Sequence, residues 1–499
     1  MSGPASLRGG PLHWSMGDLA TRAGGRLLAG NPALPIRGVA ADTRAVLPGD
    51  LFVAIRGERI DAHALLPQAF AAGAVAVLVD REAGDQYRLS EVPAGAGIVL
   101  VPSVLPALGR LAAAHLRGLH PGPRVVGITG SVGKTSTCQL VAAALGAGGP
   151  ALCPEGSYNT EVTLPLVCLR ATPAHRFAAL ELAMRGPGQI GYLAEICRPQ
   201  VGVLTVIGDS HLELLGTLGA IAAAKGELLA ALPSCGCAIL NRDDPWQREM
   251  AALSRAAVVW YGLGAGAEVT ATDLVPSAEQ GYQFTVEVRG RRVATRLLLL
   301  GRHQVANALA ALACADFLGV DLEAAALGLG TVLPTPGRLR LLQAGDLRIL
   351  DDTFNAAPQS VVAALEALAA LVPEGRRAAV LGDMLELGPA SVAGHQRVGA
   401  AAAGAGLSWL VTVGPLAKDI AAGARRAGFP PGRIHGVADA LEATSCLAGI
   451  LSGTPRGTAV LVKGSHALGL EGVVSFLAEW ARSPGQSRQG AGADGGHDA

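Results

Sequence analysis

Residues Gly127–Thr137 read GITGSVGKTST, directly after the apolar pair Val125-Val126. An apolar run, a glycine-rich turn, then a lysine among hydroxyl residues is the order strand, loop, helix. The backbone N–H groups of such a loop, with the first turn of the following helix, cradle phosphate oxygens. Lys134 is then placed to reach the β- and γ-phosphates of a nucleotide, and the Thr135 hydroxyl to hold magnesium. The spacing departs from the common GxxxxGK[ST] loop. That pattern needs glycine at 128, where this chain has Ile128; the glycine stands at Gly130 instead. The competing reading is a glycine turn with an incidental lysine.

Lysine usage weighs against that competing reading. Of the 40 lysines and arginines only four are lysines: Lys134, Lys225, Lys418 and Lys463. Arginine serves wherever a generic positive charge is enough, so a retained lysine points to work that needs an amine. Lys418, in a helix that reads as exposed, has an ordinary reading as well.

The 499 residues allow two to four domains, and half are hydrophobic, enough for large cores. Basic and acidic residues balance at 40 each. That argues against a general electrostatic attraction to nucleic acid or anionic membrane and leaves local basic sites open. The eight cysteines are scattered with no CxxC pair, Cys235 and Cys237 coming nearest. Neither a zinc site nor a disulfide framework is expected, and reduced thiols fit a cytoplasmic protein. The first residues, MSGPASLRGGPLHWSM, lack the apolar run of a signal peptide. The uncharged stretches 135–154 and 398–417 are rich in Ala and Gly, and read as helix, turn and strand of a soluble core rather than membrane spans.

Working outward from the loop, the chain divides at PGP (121–123) and PTPGR (334–338). Residues 1–120 hold short strands, LFVAI (51–55), AVAVLV (74–79) and GIVLV (97–101), with helical stretches over 62–72 and 104–119. In 121–333, the apolar runs 125–129, 177–183, 201–207, 237–240 and 257–261 alternate with helical segments, which predicts a doubly wound parallel α/β sheet. Residues 268–300 alternate in a β-like way, and a helix follows over 303–318. In 334–484, the runs 347–352, 378–383, 409–414 and 459–464 are each followed by a helical stretch, predicting a second parallel α/β unit of Rossmann type. The fold class is thus α/β in three domains, with a polar, glycine-rich tail over 485–499 expected to be disordered. GLGAGAE (262–268) lacks the GxGxxG spacing and reads as a loop.

In open α/β sheets ligands gather at the carboxyl ends of strands. Glu181 ends one run, His211 lies just past another, and Asn241, Asp243 and Asp244 follow a third. A carboxylate and an imidazole beside the loop could both ligate magnesium or manganese. Taken singly, Glu181 could instead be a buried pair partner and His211 a helix cap.

At this point the motifs resemble the Mur ligase family, ATP-dependent amide-forming enzymes of peptidoglycan synthesis. The resemblance covers about residues 36–475. It rests on TGSVGKTS (129–136), HLELLGTLGAIAAAKGELL (211–229), NRDDP (241–245), GRHQVANALAA (301–311) and PGRL (336–339). DDTFNAAPQS (351–360), LGDMLELGPAS (381–391), VKGS (462–465) and GDLFVAIRGERIDAH (49–63) are most similar to the branch that adds D-alanyl-D-alanine to a UDP-N-acetylmuramoyl-tripeptide. No DNPR-type motif of the branch that adds the third residue is present.

The resemblance implies three domains, an N-terminal one for the UDP substrate, a central one for ATP and a C-terminal Rossmann-like one. It implies ATP, magnesium, an acyl-phosphate intermediate and a cytoplasmic monomer. Gly130, Ser131, Val132, Gly133, Lys134, Thr135 and Ser136 would contact ATP, with His303, Asn307, Arg338 and Asp352. Thr135, Glu181, His211 and Lys225 would hold metal, Lys225 as a carbamate formed with carbon dioxide. Lys134, Lys225 and His211 would be the catalytic residues. Thr43 and Arg44 match a segment near the UDP-sugar, and Phe354 and Asn355 the amine site. Five positions depart from the family's pattern: Ala62, Gln304, Phe354, Ala357 and His466. Two other readings stay open, a ligase of the same fold with another amine or a folate substrate, and a phosphate-loop NTPase that makes no bond.

Overall fold

The computed structural model describes residues 8–57, 60–80, 93–154, 156–210, 212–277 and 281–482. The expected tail, 485–499, lies outside them, as does His211. Three sheets follow one another along the chain. In the first, β2 (Arg26–Ala29), β4 (Gly38–Ala40), β5 (Asp50–Val53), β6 (Ala76–Asp80) and β7 (Gly97–Val101) lie in the order β2-β7-β6-β5-β4. All pairs are parallel except the antiparallel edge strand β2. A separate two-stranded ribbon joins β1 (Trp14–Ser15) to β3 (Pro35–Ile36).

The second sheet has nine strands. They are β8 (Arg124–Thr129), β9 (Ala151–Leu152), β10 (Phe177–Glu181), β11 (Val201–Leu204), β12 (Cys237–Asn241), β13 (Ala257–Tyr261), β14 (Val269–Ser277), β15 (Gly281–Val288) and β16 (Arg291–Leu297). Their order is β16-β15-β14-β13-β12-β11-β8-β10-β9. From β9 to β14 the pairing is parallel, and β14, β15 and β16 extend the same sheet as antiparallel hairpins. The predicted β-like patch is therefore an extension of the doubly wound sheet. After β8 the chain steps outward to β9 and β10, then crosses back to β11 on the other side. The carboxyl end of β8 is thus the switch point, where loops diverge and leave a crevice.

The third sheet runs β17-β18-β22-β19-β20-β21, with β17 (Arg340–Ala344), β18 (Leu347–Asp352), β19 (Arg377–Gly382), β20 (Trp409–Val413), β21 (Ile434–Val437) and β22 (Ala459–Lys463). It is parallel apart from the edge strand β17, which hairpins onto β18 through Gly345 and Asp346. A tight connection can only join antiparallel neighbours, because a parallel return needs a crossover.

Strands buried on both faces are almost continuously apolar, as β11 (VGVL), β20 (WLVTV, with one threonine) and the first four residues of β22 (AVLVK) are. One face of the central sheet packs against helix Arg302–Phe317 and helix Lys134–Gly146 around Leu140, Leu309 and Leu312. The other shares its core with the first unit, where Leu108 and Leu111 of helix Val104–Gly118 meet Leu166, Leu193 and Leu228. The first two units are thereby joined by apolar burial, at about 25 cal/mol per Å². No helix among the described residues is long and apolar enough to cross a membrane.

Candidate active site

The phosphate loop leaves β8 at Thr129 and enters helix Lys134–Gly146 through Gly133, whose φ is 89°. That helix has no side-chain cap, so its first N–H groups face the cleft as donors. Gly130 adopts φ 151°, and a Cβ there would collide with Thr205 Oγ1. A glycine is needed at 130 because Thr205, just past β11, supports the loop from behind by donating to the Val132 carbonyl at 2.6 Å. Ser131 and Gly208 exchange two hydrogen bonds, of 3.0 and 2.9 Å. The shifted glycine therefore belongs to a loop clamped against the β11 exit.

Lys134 Nζ donates back across the loop to Gly130 O at 2.9 Å and Ser131 O at 3.3 Å. Lys225 lies in helix Leu218–Ala230, capped by Thr217 and flanked by buried Ile221, Ala224 and Leu228. It is 1 % exposed, and its Nζ donates to the same Gly130 carbonyl at 3.0 Å. Burial, and then the neighbouring Lys134 charge, push the Lys225 amine well below the ordinary lysine range, with Glu181 opposing. Burial lowers Lys134 likewise. Glu227, the acid nearest Lys225 in sequence, turns away to accept from the N–H groups of Gly188 and Gly191.

Glu181, at the end of β10, is 2 % exposed. One carboxylate oxygen accepts from Thr135 Oγ1 and the other from Asn159 Nδ2, each at 2.7 Å. A buried carboxylate beside a hydroxyl, both oxygen donors, suits a hard cation such as magnesium. Sequence reading singled out Thr135 and Glu181 but missed Asn159, which sits in an unremarkable loop. Among the described residues no group of three or more His, Cys, Asp and Glu side chains converges as a complete metal site.

The third unit supplies the opposite wall of a cleft of about 980 Å³. Arg338 donates to Ser157 Oγ at 3.0 Å, and its guanidinium lies 4.1 Å from the centre of the Phe354 ring. Asp352 accepts from Lys463 Nζ at 2.7 Å and from the Leu339 N–H at 3.0 Å. Lys463 also donates to the Asn355 carbonyl, which fixes the Asp352–Asn355 turn. Two of the four lysines, Lys134 and Lys463, thus line this cleft, and Lys225 lies buried behind its loop. Asn241, Asp243 and Asp244 shape loops: Asp244 accepts from the Ile207 N–H, and Asp243 from those of Leu263 and Gly264.

His303 and Asn307, on helix Arg302–Phe317, also line the cleft. Asn307 donates to Gln304 and packs against Gly133. The His303 Nδ1 atom is buried without a partner, and burial lowers the imidazole to about 4. A buried ring nitrogen without a partner is uncommon in folded proteins, and this one borders the cleft. Thr43 and Arg44 lie apart from the cleft, in a 3₁₀ turn after β4 where Arg44 pairs with Asp42 at 2.6 Å.

Two further contacts join the third unit to the β11 exit. Arg397 donates to Asp209 at 2.5 Å, and the Glu213 N–H to the Glu386 carbonyl at 3.1 Å.

A phosphate loop at a sheet's switch point, a carboxylate–hydroxyl pair beside it and a second α/β unit facing it define a nucleotide-dependent enzyme. Residues 35–116 match the Mur ligase family catalytic domain, 128–315 the Mur ligase middle domain and 337–466 the Mur ligase glutamate ligase domain. The chain belongs to the Mur ligase family. A UDP-N-acetylmuramoyl-tripeptide--D-alanyl-D-alanine ligase of Synechocystis sp. is 39% identical over 449 residues, 89% of this chain and 92% of that protein. The crystal structure of MurF from Acinetobacter baumannii superposes with a TM-score of 0.84 at 28% identity, over 95% of this chain and all of that one. MurF ligase from Thermotoga maritima in complex with ADP gives 0.76 at 27% identity, over 89% and 97% of the two chains.

Proposed function

We propose that this chain joins D-alanyl-D-alanine to UDP-N-acetylmuramoyl-tripeptide, converting ATP to ADP and phosphate through an acyl phosphate. The observation that carries the reading is the facing of Lys134 and Glu181 by Arg338, Asp352 and Phe354 across one cleft, on a chain 39% identical to a ligase of that name. Reactions of this kind crowd negative charge around the transferring phosphoryl group, and fixed positive charge there lowers the barrier.

In this reading the loop from Gly130 to Ser136 binds the phosphates, with His303 and Asn307 at the nucleotide's other end. Lys134 and Arg338 place positive charge on either side of the transferring group. Thr135 and Glu181 hold magnesium, which when bound neutralises phosphoryl charge; His211 is the further ligand proposed from its motif. Lys225 is the carbamoylation site of this reading: burial disfavours its ammonium form and so favours the amine that would react with carbon dioxide. Asp352 and Lys463 hold the turn that presents Phe354 and Asn355 to the incoming amine. Thr43 and Arg44 stand at the UDP end. Closure of the third unit, hinged at residues 334–338, keeps water from the acyl phosphate. A cytoplasmic monomer completes the proposal.

The test is a mass-spectrometric product screen crossing UDP-muramoyl peptides with candidate amines. Formation of the pentapeptide product from D-alanyl-D-alanine and ATP is the expected outcome. Product from lysine or diaminopimelate, with none from D-alanyl-D-alanine, would overturn it.

A further inference from the structure

The phosphate-loop helix carries a thiol one turn past Lys134. Cys138 is 2 % exposed, and its sulfur donates to the Ala179 carbonyl at 3.2 Å, two residues before Glu181. Cys153 follows the short strand β9 and is half-buried. The two sulfurs are 3.7 Å apart, in van der Waals contact, and Cys153 Sγ also lies 3.8 Å from the Cys138 carbonyl oxygen. All eight cysteines are free. Six residues beyond Cys153 is Asn159, which holds Glu181, and four beyond it is Ser157, which accepts from Arg338.

We propose that Cys138 and Cys153 are an oxidation site, a thiol pair that a low-molecular-weight disulfide converts to an intramolecular disulfide and that thereby slows the enzyme. Cys153, reachable from solvent, attacks one sulfur of glutathione disulfide; that S–S bond breaks and one glutathione thiol leaves. Cys138 then attacks the Cys153 sulfur of the mixed disulfide, and the second glutathione leaves with its electron pair and takes up a proton. Two protein thiols are oxidised and one glutathione disulfide is reduced to two thiols. Contact with Cys153 and burial hold the Cys138 thiol well above the ordinary range, so this second step is the slow one.

The consequence for the site follows from which partner can move. An S–S bond is about 2.05 Å long, so the sulfurs must close by roughly 1.7 Å. Cys138 is fixed in a helix packed between β10 and helix Arg302–Phe317, whereas Cys153 borders a loop. Closure draws the Ser157 and Asn159 backbone toward the helix and misplaces their partners, Arg338 and Glu181. A displacement of about 1 Å at such positions costs on the order of 10²-fold in rate.

The experiment incubates reduced full-length protein in graded glutathione redox buffers. No lysine or arginine lies between the two cysteines, so linkage is read by chymotryptic peptide mapping. Mapping is independent of the assigned reaction; ligation of D-alanyl-D-alanine, which rests on the proposed function, is the second readout. The expected result is a 138–153 linkage, tenfold or greater loss of ligation, and recovery with dithiothreitol. Cys153→Ala and Cys138→Ala should each keep basal activity and resist the oxidant, while Cys235→Ala behaves as wild type. Cys153 that is stably glutathionylated without linkage to Cys138 would overturn the proposal. So would equal oxidative loss of activity in Cys153→Ala.

Discussion

Lys134 and Lys225 donate to one acceptor, the carbonyl oxygen of Gly130, at 2.9 and 3.0 Å. Burial first, and then the positive charge of Lys134, lower the hold of Lys225 on its proton. Lys134 lines the cleft, and Lys225, buried behind the loop, is the amine pushed further below the ordinary lysine range. Lys134→Ala should leave the fold intact and reduce ligation by about 10²-fold or more, the usual consequence of losing one preorganised electrostatic contact. Steady-state turnover at saturating ATP, beside a thermal melt, checks both halves. Near-normal turnover would remove Lys134 from the mechanism.

The lowered Lys225 amine leads to a spectroscopic prediction. Protein equilibrated with ¹³C-bicarbonate should show a carbamate carbon resonance that disappears in Lys225→Ala and Lys225→Arg. Lys225→Ala should lose most activity and regain part of it with formate or acetate, which restore a carboxylate-like group. Arginine is not expected to be carbamoylated, so Lys225→Arg should be inactive and beyond rescue. Full activity in Lys225→Arg would mean that a plain positive charge is sufficient.

His303 gives a pH dependence with a defined sign. Its imidazole titrates near 4 in the folded protein and near 6.5 when unfolded. Between those values the unfolded chain binds the extra proton, so stability from this group rises with pH. It is fully present above about 6.5 and is lost as pH falls through about 4. The difference in melting temperature between wild type and His303→Gln should therefore move in favour of wild type as pH rises from 4 to 6.5. A difference that is flat across this window would contradict the assigned burial.

The Arg397–Asp209 pair bridges the third unit and the β11 exit, the segment that also clamps Ser131. A half-exposed pair adds little to stability, about 0–1 kcal/mol, so its influence belongs to the alignment of the units. Arg397→Asp should lower kcat/KM for ligation several-fold with little change in melting temperature. The swapped double variant Asp209→Arg/Arg397→Asp should recover part of that loss. Additive losses in the double variant would show that the two charges do not act together.

Much of this architecture was legible because its strands are long, apolar and separated by helices. GIVLV matches β7 residue for residue; the loop stood out by its motif, Glu181 by its place at a strand end and the lysines by their scarcity. The illegible parts have two physical causes. Strands β9 and β1 are two residues long, too short to show alternation, and the edge strands β2 and β17 gain their partners from tertiary context. The supporting contacts join distant segments: Ser157 meets Arg338 across 181 positions and Lys463 meets Asn355 across 108. Nothing local in SYNT or NAAP marks those residues as partners.

The scarcity of exposed lysine has a practical corollary. Lys225 and Lys463 are buried and Lys134 is half-buried, whereas Lys418, at the start of helix Lys418–Arg426, is exposed to solvent. Amine-directed coupling, whether to a resin, a dye or a biotin tag, should therefore concentrate on Lys418 among the side chains. Coupling through Lys418 would leave the cleft lysines chemically unmodified.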